Sequence, residues 1–176
     1  MMKTLAFILN LVGLVLAISA SLIKGEKMKK TLLLILLGNL LVAISYLISG
    51  VGINGAASGI LACIQIAINY VFESKNKPIP KWLIAIYVVL FIAVNIWVGG
   101  IAIPTIFAIL ACLAFIASIV QKNGKSFRAC VIINTVFWII YDIFVFSVNG
   151  LITHCSILVM NIIGVLMHDL KIKKKN

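Results

Sequence analysis

Acidic side chains are nearly missing from this chain: Asp and Glu together number 4 in 176 residues. Histidine occurs twice and proline three times. That poverty excludes most catalytic chemistry. No pair of carboxylates is placed for general acid–base work, and no Ser-His-Asp arrangement is visible. With so few ligand residues no metal cluster can be assembled. No phosphate-binding loop is present, so ATP drives nothing here directly. The chain reads as a non-enzyme that needs no cofactor. Its four cysteines, Cys63, Cys112, Cys130 and Cys155, all lie inside apolar runs and form no Cys-x-x-Cys pair. They read as small thiols packed between helices, with no disulfide framework indicated.

Charge of either sign is scarce. Charged residues make up 11% and hydrophobic residues 64%, against about 25% and 45–50% in globular domains. The chain is expected to be an all-α integral membrane protein whose first partner is the lipid bilayer. A net charge of +11 invites a nucleic-acid reading. That reading is rejected, because the basic residues sit in short clusters between apolar runs, as in cytoplasmic loops.

Seven segments are apolar for about the 17–25 residues that a spanning helix needs: 4–23, 31–49, 55–72, 82–98, 103–120, 129–147 and 150–168. Such continuous runs suit helices, whereas barrel strands would alternate. The first run is followed at once by KGEKMKK, which disfavours export and cleavage, so it is expected to stay as a helix. Basic clusters follow helices one (Lys24, Lys27, Lys29, Lys30), three (Lys75, Lys77, Lys81), five (Lys122, Lys125, Arg128) and seven (Lys171, Lys173, Lys174, Lys175). The connections after helices two, four and six carry none. The positive-inside rule then places the N-terminus outside and the C-terminus in the cytoplasm. Lys3 is a single outer charge. The tail KIKKKN reads as a topology anchor on anionic lipid.

A shift of 95 residues aligns Asn39 with Asn134, Tyr46 with Tyr141 and Asn54-Gly55 with Asn149-Gly150, without a gap. Lys27 and Lys30 fall on Lys122 and Lys125. Helices one to three therefore read as repeated in helices five to seven, with helix four as the linker that restores orientation. The expected organisation is a first three-helix bundle (1–73), a linker and fourth helix (74–101), and a second three-helix bundle with the basic tail (102–176). The two bundles are parallel.

The second repeat resembles the SWEET and SemiSWEET transporters. Those carry Trp-x-x-Tyr in the second helix of each unit, here Trp138-Ile-Ile-Tyr141, and a sugar-contacting Asn sixteen residues after the Trp, a slot held here by His154. The first repeat departs, with Ala43 and Gly59 in those slots, and the Pro-Gln dipeptide of the wider PQ-loop group is absent. The stretch from Arg128 to Asn161 also resembles, without gaps, the YgjV family of bacterial inner-membrane proteins. Arg128, Thr135, Trp138, Ser147, Gly150, Ser156 and Met160-Asn161 carry that likeness. It implies a bacterial cytoplasmic membrane location and names no substrate.

Asp142 and His154 stand in consecutive helices, either side of a turn expected near Val148-Asn149. That places both in the outer third of the membrane, where ionisable groups usually face a bundle interior or a water-filled cavity. Two readings compete: a hydrated Asp142 near the headgroups with His154 as a neutral packing group, or a hydrogen-bonded pair that gates a cavity or carries a proton. Asn10, Gln65, Asn69, Asn95 and Asn161 are also at membrane depth and read as interhelical glue. Gly13, Ala17, Ser21 and Gly55-Ala-Ala-Ser-Gly59 read as close-packing stripes. Asn54-Gly55 and Asn149-Gly150 read as tight outer turns, and Pro104 opens helix five.

The leading expectation is a SWEET-like alternating-access carrier in a 3+1+3 arrangement. Trp138, Asn134, Asn39, Tyr141 and His154 would bind a small polar solute, and Asp142 with His154 would gate it. The alternative is a non-transporting sensor or partner subunit, and association with further copies or membrane proteins stays open.

Overall fold

The computed structural model describes residues 2–22, 28–50, 52–121 and 124–169. Lys24, Lys27, Lys122 and the tail from Lys171 lie outside the described residues, as do the side chains of Lys3 and Ser21. Among the described residues seven α-helices follow one another: α1 (Met2–Leu22), α2 (Met28–Ser49), α3 (Ile53–Ser74), α4 (Lys81–Gly99), α5 (Ile103–Val120), α6 (Gly124–Phe144) and α7 (Val148–Gly164). A π-helical turn, Val165–Asp169, extends α7. Helices α2 to α7 are each long and apolar enough to cross a membrane, and α1 supplies a shorter apolar stretch, Thr4–Ala20.

The helix ends follow local chemistry, and two expected turns are displaced. Asn54-Gly55 and Asn149-Gly150 do not form turns; each pair lies in the first turn of a helix, α3 and α7. Between α2 and α3 the bend is made by Gly50 and Gly52, at φ 68° and 73°, a region glycine enters without a Cβ penalty. Between α6 and α7 Phe146 takes φ 55°. Ser147 then caps α7, its Oγ accepting the Gly150 N–H at 3.2 Å. Helix α6 therefore runs 124–144 where 129–147 was expected. Pro104 stands in the first turn of α5, as expected.

Unlike a soluble protein, the chain gathers polar side chains inside, among apolar ones such as Phe91 and Ile66, and keeps an apolar outer surface. Asn10, Asn95, Asp142 and Asn161 are buried, while Val15, Val89, Trp97 and Ile101 are exposed. That inversion suits a hydrocarbon solvent, which solvates leucine well and an amide badly. Neighbours in sequence pack side by side: α1 on α2, α2 on α3, α5 on α6 and α6 on α7. Contacts of α1 with α7 and of α3 with α5 close these six helices into a ring, and α4 packs on both α3 and α5.

Small residues let the backbones approach. A Cβ on Gly13 would come within 3.0 Å of the Gly38 carbonyl oxygen, and one on Gly59 within 2.8 Å of the Ala43 Cβ. Polar residues then stitch α4 to α3. The Asn54 amide donates to the Asn95 backbone and side-chain oxygens at 2.9 and 3.1 Å, Asn95 Nδ2 donates to Ser58 Oγ at 2.9 Å, and Tyr87 donates to Asn69 Oδ1 at 3.2 Å. At the other seam Asn10 on α1 donates to the Asn149 carbonyl and to Thr153 Oγ1 of α7. Interhelical glue is thus the observed role of Asn10, Asn69 and Asn95.

Candidate functional site

All seven helices contribute to one central cavity of about 130 Å³. This is near the ~150 Å³ of a cavity that admits benzene. Its wall includes Asn39, Tyr46, Ser58, Asn134, Trp138 and His154, amid apolar groups such as Phe91 and Phe115. Most of these polar groups already have partners. Asn134 Nδ2 donates to the Ala111 carbonyl at 2.8 Å, and Ser58 bonds to Asn95. The Asn39 side chain makes no hydrogen bond among the described residues, so its amide is free to meet whatever enters. A second cavity of about 230 Å³ lies towards the end of the ring that carries the α2–α3 and α6–α7 turns. It is lined by Asn10, Ser45, Ser49, Ser147 and Asn149, and Tyr46 belongs to both walls.

The division between the two cavities is built on Asp142, which is 0% exposed. Tyr46 donates its hydroxyl to Asp142 Oδ1 at 2.7 Å, and His154 Nδ1 lies 2.6 Å from Asp142 Oδ2. Both carboxylate oxygens are thereby partnered, which a buried carboxylate requires. Helix geometry explains the reach. Side chains lean towards the N-terminus of their own helix, so His154 and Asp142, on antiparallel helices, lean towards each other. Gly150 fits between: a Cβ there would run into Asp142 Oδ1 and the Tyr46 hydroxyl. Tyr141 reaches the opposite way, its hydroxyl accepting the Gly55 N–H at 3.2 Å. Trp138 stacks on His154, with ring centroids 5.7 Å apart and planes at 9°, and meets Tyr141 edge-on at 5.2 Å.

The expected site residues thus fall into two groups. Asn39, Asn134, Trp138 and His154 line the central cavity. Tyr141 and Asp142 stand outside its wall, in the hydrogen-bonded division. The reading of Asp142 as a hydrated group near the headgroups is overturned by its complete burial. Trp138 has one face covered by His154, which leaves a single face for a ring-shaped solute. Sequence reasoning missed Tyr46, Ser58 and Gly150 as parts of the site. The signal for Tyr46 was its coincidence with Tyr141 under the 95-residue shift.

No curated protein and no solved structure matches this sequence. A ring of long apolar helices with an apolar outer surface and buried polar side chains is an architecture for a bilayer, and the family assignment agrees. The family model Imp-YgjV, described as a bacterial inner membrane protein, matches residues 4–171, and the chain belongs to that family.

Proposed function

We propose that the chain is an alternating-access carrier of a small polar solute, with its two helix triplets moving about the central cavity. The observation that carries this reading is the cavity itself, walled by all seven helices and presenting the unpartnered Asn39 amide beside Asn134 and Trp138. Its volume admits only a small molecule. In this reading the end bearing the α2–α3 and α6–α7 turns faces outward, the C-terminus is cytoplasmic, and the Tyr46–Asp142–His154 bridge is the outer closure. A 3+1+3 duplication is supported by a reciprocal placement. Tyr141 takes the N–H of Gly55, and its counterpart Tyr46 lies against Gly150, the counterpart of Gly55.

The test is heat unfolding of the purified protein in detergent against sugars, nucleosides, vitamins and amino acids, beside the variant Trp138→Ala. A solute at ten times its dissociation constant stabilises its carrier by about 1.4 kcal/mol. A compound that raises the melting temperature of the wild type and not of Trp138→Ala names the solute class and its site. A panel without any shift turns the assignment to a non-transporting sensor or partner subunit.

A further inference from the structure

The second cavity, of about 230 Å³, has a wall with a marked hydrogen-bonding sense. Ser45 and Ser49, one turn apart on α2, have both given away their hydroxyl hydrogens. Ser45 donates to the Ala6 carbonyl at 2.8 Å and Ser49 to the Tyr46 carbonyl at 3.0 Å. Asn10 has given both amide hydrogens, to the Asn149 carbonyl and to Thr153 Oγ1. The Asn149 carbonyl can only accept, so it fixes which atom of the Asn10 amide is the nitrogen. Tyr46 has given its hydroxyl hydrogen to Asp142 Oδ1, which stands directly behind Gly150.

A group that has spent its hydrogens keeps its lone pairs. Ser45 Oγ, Ser49 Oγ and Asn10 Oδ1 are therefore left as acceptors, and hydrogens to offer remain at most on Ser147 and Asn149. Two aromatic rings, Tyr46 and Phe146, complete this part of the wall. Phe146 is 86% exposed and takes φ 55°, a left-handed conformation that costs a bulky residue backbone energy. Strain of this kind collects at functional sites. Among the described side chains no Lys, Arg, His, Asp or Glu lines the chamber.

We infer that this chamber is a binding site for a small organic ammonium ion, the charged form of a primary amine. An ammonium group brings three N–H donors and no lone pair, which complements a wall with three spare acceptors. A polyol of the same size would bring acceptors that find few donors here. The rings favour the same ligand, because an aromatic face attracts a cation. Ala6 and Val148 leave apolar wall for a short hydrocarbon tail. The volume argues against a bare metal ion, since it exceeds the ~150 Å³ that accommodates benzene. Only Tyr46 is common to this wall and that of the central cavity. The inference stands on the chamber alone and goes beyond the carrier reading.

Protection of a thiol in the chamber wall tests it. In a full-length chain with the four native cysteines replaced by Ser, Val148→Cys puts a thiol at a lining position that is 66% exposed and supplies no side-chain acceptor. Lys3, three positions before Ala6, is replaced by Gln so that the added amine has no lysine to compete with. The reaction with a neutral methanethiosulfonate reagent is timed in detergent. Butylammonium chloride should slow it saturably. 1-Butanol, of the same length, and tetramethylammonium, a cation without N–H, should each protect at least about tenfold more weakly. Ser49→Ala removes an acceptor whose own bond lies within α2, and should weaken protection by butylammonium about tenfold. Phe146→Leu should weaken it about two- to fivefold. Trp138→Ala should leave it unchanged. No protection by butylammonium, or equal protection by 1-butanol, overturns the ammonium site. Equal protection by tetramethylammonium overturns the role of the spare acceptors. Protection that neither Ser49→Ala nor Phe146→Leu weakens, or that Trp138→Ala abolishes, places the amine elsewhere and overturns the chamber as its site. A heat-unfolding panel without a hit removes the carrier reading and leaves this protection standing.

Discussion

At the scale of single residues, the interior is defined by where amides find partners. Asn54, Asn95 and Asn134 are hydrogen-bonded to neighbouring helices. Gln65 is different: it is 1% exposed, and neither its Oε1 nor its Nε2 has a partner among the described residues. An unsatisfied buried amide costs about 1–3 kcal/mol. Gln65→Met keeps the length and removes the polar atoms, so it should raise the melting temperature in detergent. A lowered melting temperature would mean that Gln65 has a partner in the folded protein. Such pairings were illegible beforehand because sequence gives the depth of a membrane residue and not its rotation. Asp142 and His154 show this. Their depth was read from a turn at Val148-Asn149, yet the bend falls at Phe146, and their contact depends on the opposed lean of two side chains.

At the scale of helices, much more was legible. Long apolar runs mark α1 to α7 because hydrocarbon forces every backbone group into a helix. The glycines at 13 and 59 marked close approaches because only a missing Cβ permits them. The turns were misjudged because Asn-Gly favours tight turns in general, whereas here each Asn-Gly pair sits inside a helix and serves tertiary contacts. Asn54 and Asn149 bind α4 and α1 respectively. Helix α4 depends on such contacts. Asn95→Leu leaves the Ser58 hydroxyl without its partner and takes from the Asn54 amide one of its two acceptors, the residue-95 carbonyl remaining, and should cost about 1–3 kcal/mol. Hydrogen exchange should quicken in α4 and hold in α6. Equal loss of protection in both helices would show that α4 is not held separately.

At the scale of the whole molecule, the proposed orientation makes opposite ends chemically distinguishable. In a background with the four native cysteines replaced by Ser, a cysteine at Ser74, the exposed last residue of α3, should react with a membrane-impermeant thiol reagent only after the cells are opened. One at Ile101, exposed between α4 and α5, should react in intact cells. The reverse pattern would invert the topology, and with it the side on which the Tyr46 closure stands.

The ring has two seams between its triplets, and they are not equivalent. One, α3 against α5, is overlaid by α4, which is tied to α3 through Asn54, Ser58 and Asn69. The other, α1 against α7, has no covering helix among the described residues, and Asn10 supplies its side-chain hydrogen bonds. The molecule is built like a bracelet, with a hinge on the side of α4 and a clasp at Asn10. In the proposed carrier, a motion that parts the triplets swings about the strapped side and draws α1 away from α7.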